Sequence, residues 1–159
     1  MTNEEKKRKQ ADPEAVRRKV EKLIGNFEAE LRSGDLRSKV LALVPVFHEL
    51  RRLGKTLIPG EYASSASDRI SYYFRKYPRT IIKGDELLVV SGIQEYARRV
   101  RELRVQFGWS IASGVTIKEM QEDEAVPDGI KDMKPSEYVL LGTEQDRDAA
   151  HRWNMANTI

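Results

Sequence analysis

Five side chains in a short span, Gln94, Arg98, Arg99, Arg101 and Arg104, are of the types and spacing that read or grip nucleic acid. Arginine offers a rigid fork of donors that fits phosphate oxygens and, bidentately, the guanine edge, and glutamine can address adenine. Spacings of three and four place Gln94, Arg98 and Arg101 on one outward side of a helix running from Ile93 to about Phe107. Arg99 and Arg104 stand nearer its flanks, where phosphates would lie. The opposite side carries Ile93, Tyr96, Ala97, Val100, Leu103 and Phe107, an apolar stripe able to anchor the helix on a core. Glu95 and Glu102 stand at pairing distance along the helix from Arg99 and Arg98, so ordinary surface ion pairs are the competing reading of these arginines.

What precedes this helix strengthens the nucleic-acid reading. Glu86 to Val90 is a short apolar helix, Ser91-Gly92 a turn, and short helix, tight glycine turn and basic amphipathic helix are the parts of a helix-turn-helix. Lys76, Arg79 and Lys83 border the unit where a duplex backbone would pass. Charge counts by segment agree. Residues 36–112 hold 14 Lys and Arg against 7 Asp and Glu, whereas residues 113–159 hold 5 against 10, a division that the net charge of +3 conceals. The basic middle is the expected polyanion surface. The acidic stretch with Glu119, Glu122, Asp123, Glu124, Asp128 and Asp132 is expected to be a solvated loop and argues against a wing lying deep in the minor groove.

Catalytic chemistry finds little support. The chain has no cysteine and two histidines, His48 and His151, about a hundred residues apart. His48 beside an apolar stripe reads as structural and His151 as a surface residue. No zinc-ligand spacing, phosphate-cradling glycine loop or serine-nucleophile motif occurs, and no cofactor or metal is expected. Pro127-Asp128 followed by Asp132-Met133-Lys134 has a superficial likeness to a nuclease metal element. Four residues interrupted by Gly129 do not supply the adjacent strands that such an element requires. No apolar run spans a bilayer and no signal peptide opens the chain, so a cytoplasmic protein is expected.

The elements that would position these residues follow in chain order. Residues 1–11 read as a disordered arm. Asp12-Pro13 starts a helix whose stripe is Val16, Val20, Leu23, Ile24, Phe27 and Leu31. Asp35 caps a second, with Leu36, Val40, Leu43, Val44, Phe47, Leu50 and Leu53, stopping at Gly54 and kinked or split near Leu41 by Pro45. Residues 12–54 thus predict a helical hairpin, a candidate for pairing two chains, and residues 55–66 a linker. Then come a helix capped by Ser67 or Ser65 and ending at Tyr77, a strand Thr80 to Ile82, the two helices of the helix-turn-helix, a strand Trp109 to Ala112, a long loop Gly114 to Ser136 and a strand Tyr138 to Leu141. Helix, strand, helix, helix, strand, loop, strand is the order of a winged helix over residues 67–142. A last helix, Gln145 to about Asn157 with Ala149, Trp153 and Ala156 in register, fills a linker segment 143–159. The fold class is mainly α: a winged helix-turn-helix with a small β-hairpin, preceded by an N-terminal helical hairpin.

Gly84-Asp85-Glu86-Leu87, Val89-Val90-Ser91-Gly92-Ile93, Tyr96-Ala97-Arg98-Arg99-Val100-Arg101-Glu102-Leu103-Arg104, Gly108-Trp109-Ser110-Ile111 and Tyr138-Val139-Leu140 resemble the winged-helix segments upstream of the catalytic domain in bacterial HNH-type endonucleases. The tail from Asp146 to Asn157 resembles the linker helix that leads onward in such proteins. The resemblance implies the DNA-reading part of a restriction-type or modification-dependent nuclease. The histidine-asparagine-histidine site that would cut DNA has no counterpart here. The expectation is therefore that this chain is non-catalytic and binds double-stranded DNA, with a nuclease module beyond Ile159 or as a free-standing binder; an end directly after a helix favours the first. The rival expectation is a protein-interaction winged helix whose basic face takes an acidic partner.

Overall fold

A computed structural model describes residues 11–119 and 128–156 and divides the chain into two compact units, Met1–Ser64 and Ser65–Ile159. Glu122, Asp123 and Glu124 of the acidic stretch, and Pro127, lie outside the described residues, as do the arm before Ala11 and the side chain of Trp153.

The first unit is a helical hairpin of α1 (Pro13–Ser33) and α2 (Leu36–Thr56), followed by a single 3-10 turn at Gly60–Tyr62. Its ends follow from local chemistry. Asp12 accepts from the Glu14 N–H with Pro13 in the first turn, and Asp35 accepts from the Ser38 N–H at 2.8 Å, each carboxylate covering a donor that the helix leaves open. Three expectations are corrected. The second helix is continuous across Pro45 and does not stop at Gly54 but runs to Thr56. Leu41 and Pro45 both lie on an exposed side, where water can take the carbonyl that the proline ring leaves without a donor. His48, expected beside a buried stripe, is exposed.

The second unit is built from α3 (Ala66–Lys76), β1 (Ile82–Lys83), α4 (Gly84–Ser91), α5 (Tyr96–Val105), β2 (Ile111–Ser113), α6 (Gly114–Glu119), a 3-10 turn at Asp128–Ile130, β3 (Glu137–Leu140) and α7 (Arg147–Ala156). The strands form one antiparallel sheet in the order β1-β3-β2, with Ile82 opposite Tyr138 and Ala112 opposite Val139. The predicted two-stranded hairpin is therefore a three-stranded sheet, because β1 pairs with the free edge of β3. Helix α3 begins where Ser65 accepts from the Asp68 N–H and ends at Lys76, with Tyr77 as its cap ahead of Pro78.

Alternation along the strands separates two cores. Ile82, Ile111 and Leu140 face the three helices and pack with Ile70, Phe74, Leu87, Val100 and Leu103. Their neighbours Ala112 and Val139 face the other way and pack with Ile117, Ile130 and Met133. This second core corrects the reading of residues 114–136 as a long solvated loop. The stretch opens as a helix, Ile117 is fully buried, and Ile130 and Met133 return the chain to the sheet. Gly114 shows how close that return is: a Cβ there would stand 1.8 Å from the Lys134 carbonyl oxygen. One apolar residue per turn in a six-residue helix leaves too little period to read from sequence. Glu119 and Asp132 remain exposed.

Helix α7 docks on the end of α5. The Asp146 N–H donates to the Gly108 carbonyl at 2.8 Å, the Asn154 amide donates to the Gln106 carbonyl at 3.1 Å, and Ala150 is buried. Among the described residues no helix is long and apolar enough to cross a membrane.

Candidate nucleic-acid interface

Helices α4 and α5 are joined by four residues, 92–95, rather than by the Ser91-Gly92 pair alone. Gly92 takes φ 69°, a left-handed conformation open to glycine at little cost, and its N–H closes α4 on the Leu88 carbonyl at 2.9 Å. The Ser91 hydroxyl then lies 3.2 Å from both the N–H and the carbonyl of Ile93, holding the chain out of helix for a further step. Helix α5 consequently starts at Tyr96, not Ile93, and ends at Val105. Gln94 is a turn residue just ahead of the helix, and Phe107 lies beyond it and is exposed.

The turn is also held from α3. Arg69 is buried; its Nε donates to the Val90 carbonyl at 3.1 Å and its Nη2 to the Ser91 carbonyl at 2.7 Å. Those are two of the four carbonyls that a helix C-terminus leaves open, and the cation sits at the negative end of the helix dipole. Burial pulls the Arg69 guanidinium below its ordinary pKa, with the Asp68 carboxylate acting in the opposite sense. At the other end of α4, the Glu86 carboxylate accepts from the Lys83 N–H at 2.6 Å and from the Tyr73 hydroxyl at 2.7 Å. Both partners of Glu86 and the role of Arg69 escape sequence reading. Arg69 entered the charge count as part of the basic surface, and nothing in its neighbours distinguishes a buried arginine from an exposed one.

On α5, Val100 and Leu103 enter the core and Tyr96 packs against it, while Ala97, Arg98, Arg101 and Arg104 are exposed. Ala97 thus leaves the apolar stripe assigned to it. At 100° per residue these four occupy one continuous solvent face, with Arg101 between Arg98 and Arg104 and Arg104 at the edge that borders buried Val100. Arg101 and Arg104 also line a shallow open groove with Ala97, Ser113 and Tyr138, between α5 and the β2–β3 ribbon.

Arg99 is on the other flank. It turns to Glu102, with Nη1 at 2.9 and 2.8 Å from the two carboxylate oxygens, instead of to Glu95. Its side chain is 33% exposed against 69% for Arg98, which approaches the same carboxylate at 3.6 Å. Of the border cations, Lys76 is in the last turn of α3, Lys83 precedes α4, and Arg79 sits in the link between α3 and β1; all three are exposed. Arg79 has φ 58°, and its N–H donates to the Leu140 carbonyl at 2.8 Å. Arg75, not singled out from sequence, lies over the Trp109 ring at 5.5 Å from its centroid.

Residues 67–141 match the family model of the KpnI N-terminal domain, a region covering α3 through β3. No curated protein and no solved structure matches the chain.

Proposed function

We propose that the second unit is a winged helix-turn-helix that binds double-stranded DNA, with α5 in the major groove. The observation that carries this reading is the solvent face of Arg98, Arg101 and Arg104 on a helix that follows a pinned four-residue turn and borders a β-ribbon. The element order and the sheet order β1-β3-β2 support it, and so does the similarity of residues 67–141 to the restriction-enzyme-like KpnI N-terminal domain. In this reading Arg98 and Arg101, with Gln94 in the turn ahead of the helix, address base edges. Arg104, Lys83, Arg79 and Lys76 hold phosphates on either side, and Arg99 contributes its charge while bracing Glu102. The module serves as the DNA-reading part of a restriction-type endonuclease, of the HNH type by the resemblance of its sequence, with cutting supplied by another module.

A salt series on duplex binding tests the assignment. Arg98→Ala and Arg101→Ala each weaken binding, and replacing Arg104 by Ala lowers the slope of log affinity against log salt by about one. Unchanged affinity and slope in the triple variant would sink the reading. Capture of an acidic protein by the same arginines, with no duplex binding at about 100 mM salt, would instead support a protein-interaction module.

A further inference from the structure

Helix α2 has two apolar sides. Ala42, Val46 and Leu53 turn inward, Val46 fully, on the side of Glu49, which meets Lys19 of α1 at 2.9 Å. A second row, Leu36, Val40, Leu43, Phe47 and Leu50, advances by four, three, four and three residues, a strict heptad seam of the kind that pairs helices. Apart from half-buried Leu43 it is open to solvent: Leu36 is 79% exposed, Phe47 59% and Val40 54%.

The first helix extends the same surface. Around α1, Ile24 and Leu31 lie to one side of the inward stripe of Val16, Val20 and Phe27, and Lys19 lies to the other. In an antiparallel pair the two helices advance in opposite senses, so the Lys19–Glu49 bridge marks one side of the hairpin. Ile24, Leu31 and the heptad row share the other. At the exposures given, Ile24, Leu31, Leu36, Val40, Phe47 and Leu50 leave on the order of 600 Å² of apolar surface open, the upper end for one patch on a monomer and close to the roughly 800 Å² that each partner of a standard interface covers.

We propose that this face is covered by the same face of a second copy of the chain, giving a four-helix bundle with its two-fold axis along the helices. Charge at the borders selects this occupant. Arg37 and Arg51 edge the α2 row, and Glu21 and Glu28 edge the α1 side. The two-fold axis sets α1 of each copy antiparallel to α2 of the other, and the height fixed by Lys19–Glu49 brings Glu28 to within about one helical turn of Arg37 of the second copy, and Glu21 likewise of Arg51. Arg17, held by Glu14 and Glu21, and Arg32, held by Glu28, stand on the same border, so each pair across the two copies shares its carboxylate with an ion pair inside α1.

Sedimentation of the whole chain across a concentration series tests this without reference to DNA. The expected mass is twice that of one chain at micromolar concentration. Phe47→Glu places a charge in the seam and raises the dissociation constant at least 100-fold with unchanged helical circular dichroism. Arg37→Glu with Arg51→Glu weakens the dimer roughly tenfold, and adding Glu21→Arg with Glu28→Arg restores it. A wild-type monomer at about 50 μM overturns the proposal, whether the face stays bare or is covered by the chain's own second unit. A folded Phe47→Glu dimer overturns it too. If Phe47→Glu loses helix, the charge series decides, and failure to weaken or to recover overturns it.

Discussion

The buried guanidinium of Arg69 donates to the carbonyl of Ser91 at 2.7 Å and, through Nε, to that of Val90, so a residue of α3 sets the position of the turn before the arginine-bearing helix. Arg69→Met keeps the volume but removes both donors, leaving two carbonyls short of partners inside the unit. Thermal unfolding should then show a loss of about 2–4 kcal/mol. Arg69→Lys, which keeps the charge but not the fork, should recover only part of it. Full stability in Arg69→Met would mean that the turn holds itself.

Glu102 is the single carboxylate on α5, and it draws both Arg98 and Arg99. Under the duplex-binding reading it stands where phosphate charge would approach. Glu102→Gln removes that repulsion and releases two cations, so affinity for duplex should rise about three- to tenfold and the salt slope steepen by up to about one. A salt titration of variant and parent decides, and weaker binding in the variant would show that Glu102 positions Arg98 rather than restraining it.

Much of this arrangement was readable from residue order. The caps at Asp12, Asp35 and Ser65 are local chemistry, and the helical period of α1, α2 and α5 is repeated often enough to mark each as a helix. In α2, however, Leu36, Val40, Val44, Phe47 and Leu50 of the predicted stripe are exposed and Val46, outside it, is buried. What escaped depends on partners distant in the chain. Burial of Arg69 is decided by carbonyls 21 and 22 residues away. Helix α6 and the second core depend on Ile117 meeting Ile130 and Met133 across an acidic stretch whose composition signals solvent. The start of α5 moved from Ile93 to Tyr96 because a serine hydroxyl and a left-handed glycine, not hydrophobic period, fix where a turn ends.

Tyr73 carries a titration that the other link of α4 makes visible. Burial, and then its hydrogen bond to Glu86, push its hydroxyl up to about 12 from an ordinary value of 10. A folded value above the unfolded one means that the stabilisation is complete below pH 10 and is lost as pH rises from 10 to 12. Among the six tyrosines, the latest tyrosinate absorbance step should therefore be that of Tyr73 and vanish in Tyr73→Phe. The same variant should lose about 1 kcal/mol at neutral pH with the hydrogen bond. A late step retained in Tyr73→Phe would assign it elsewhere, and Tyr138, also raised by burial, is the next residue to replace.

Arg79 separates binding from folding. Its φ of 58° places a side-chain-bearing residue in the left-handed region, a conformation that costs a non-glycine residue about 1–2 kcal/mol. The strain is held in place by the backbone N–H of Arg79 on the Leu140 carbonyl, which ties the link to the sheet and needs no side chain. Arg79→Gly removes the strain but enlarges the freedom of the unfolded chain by about 0.5–1 kcal/mol, so stability should hold or rise by up to about 1 kcal/mol. Duplex affinity should nevertheless fall several-fold at about 100 mM salt, with the salt slope reduced by about one, if the guanidinium meets phosphate. Thermal unfolding and a salt titration on the same preparation make the comparison. Lost stability would refute the strain argument, and undiminished binding would remove Arg79 from the interface.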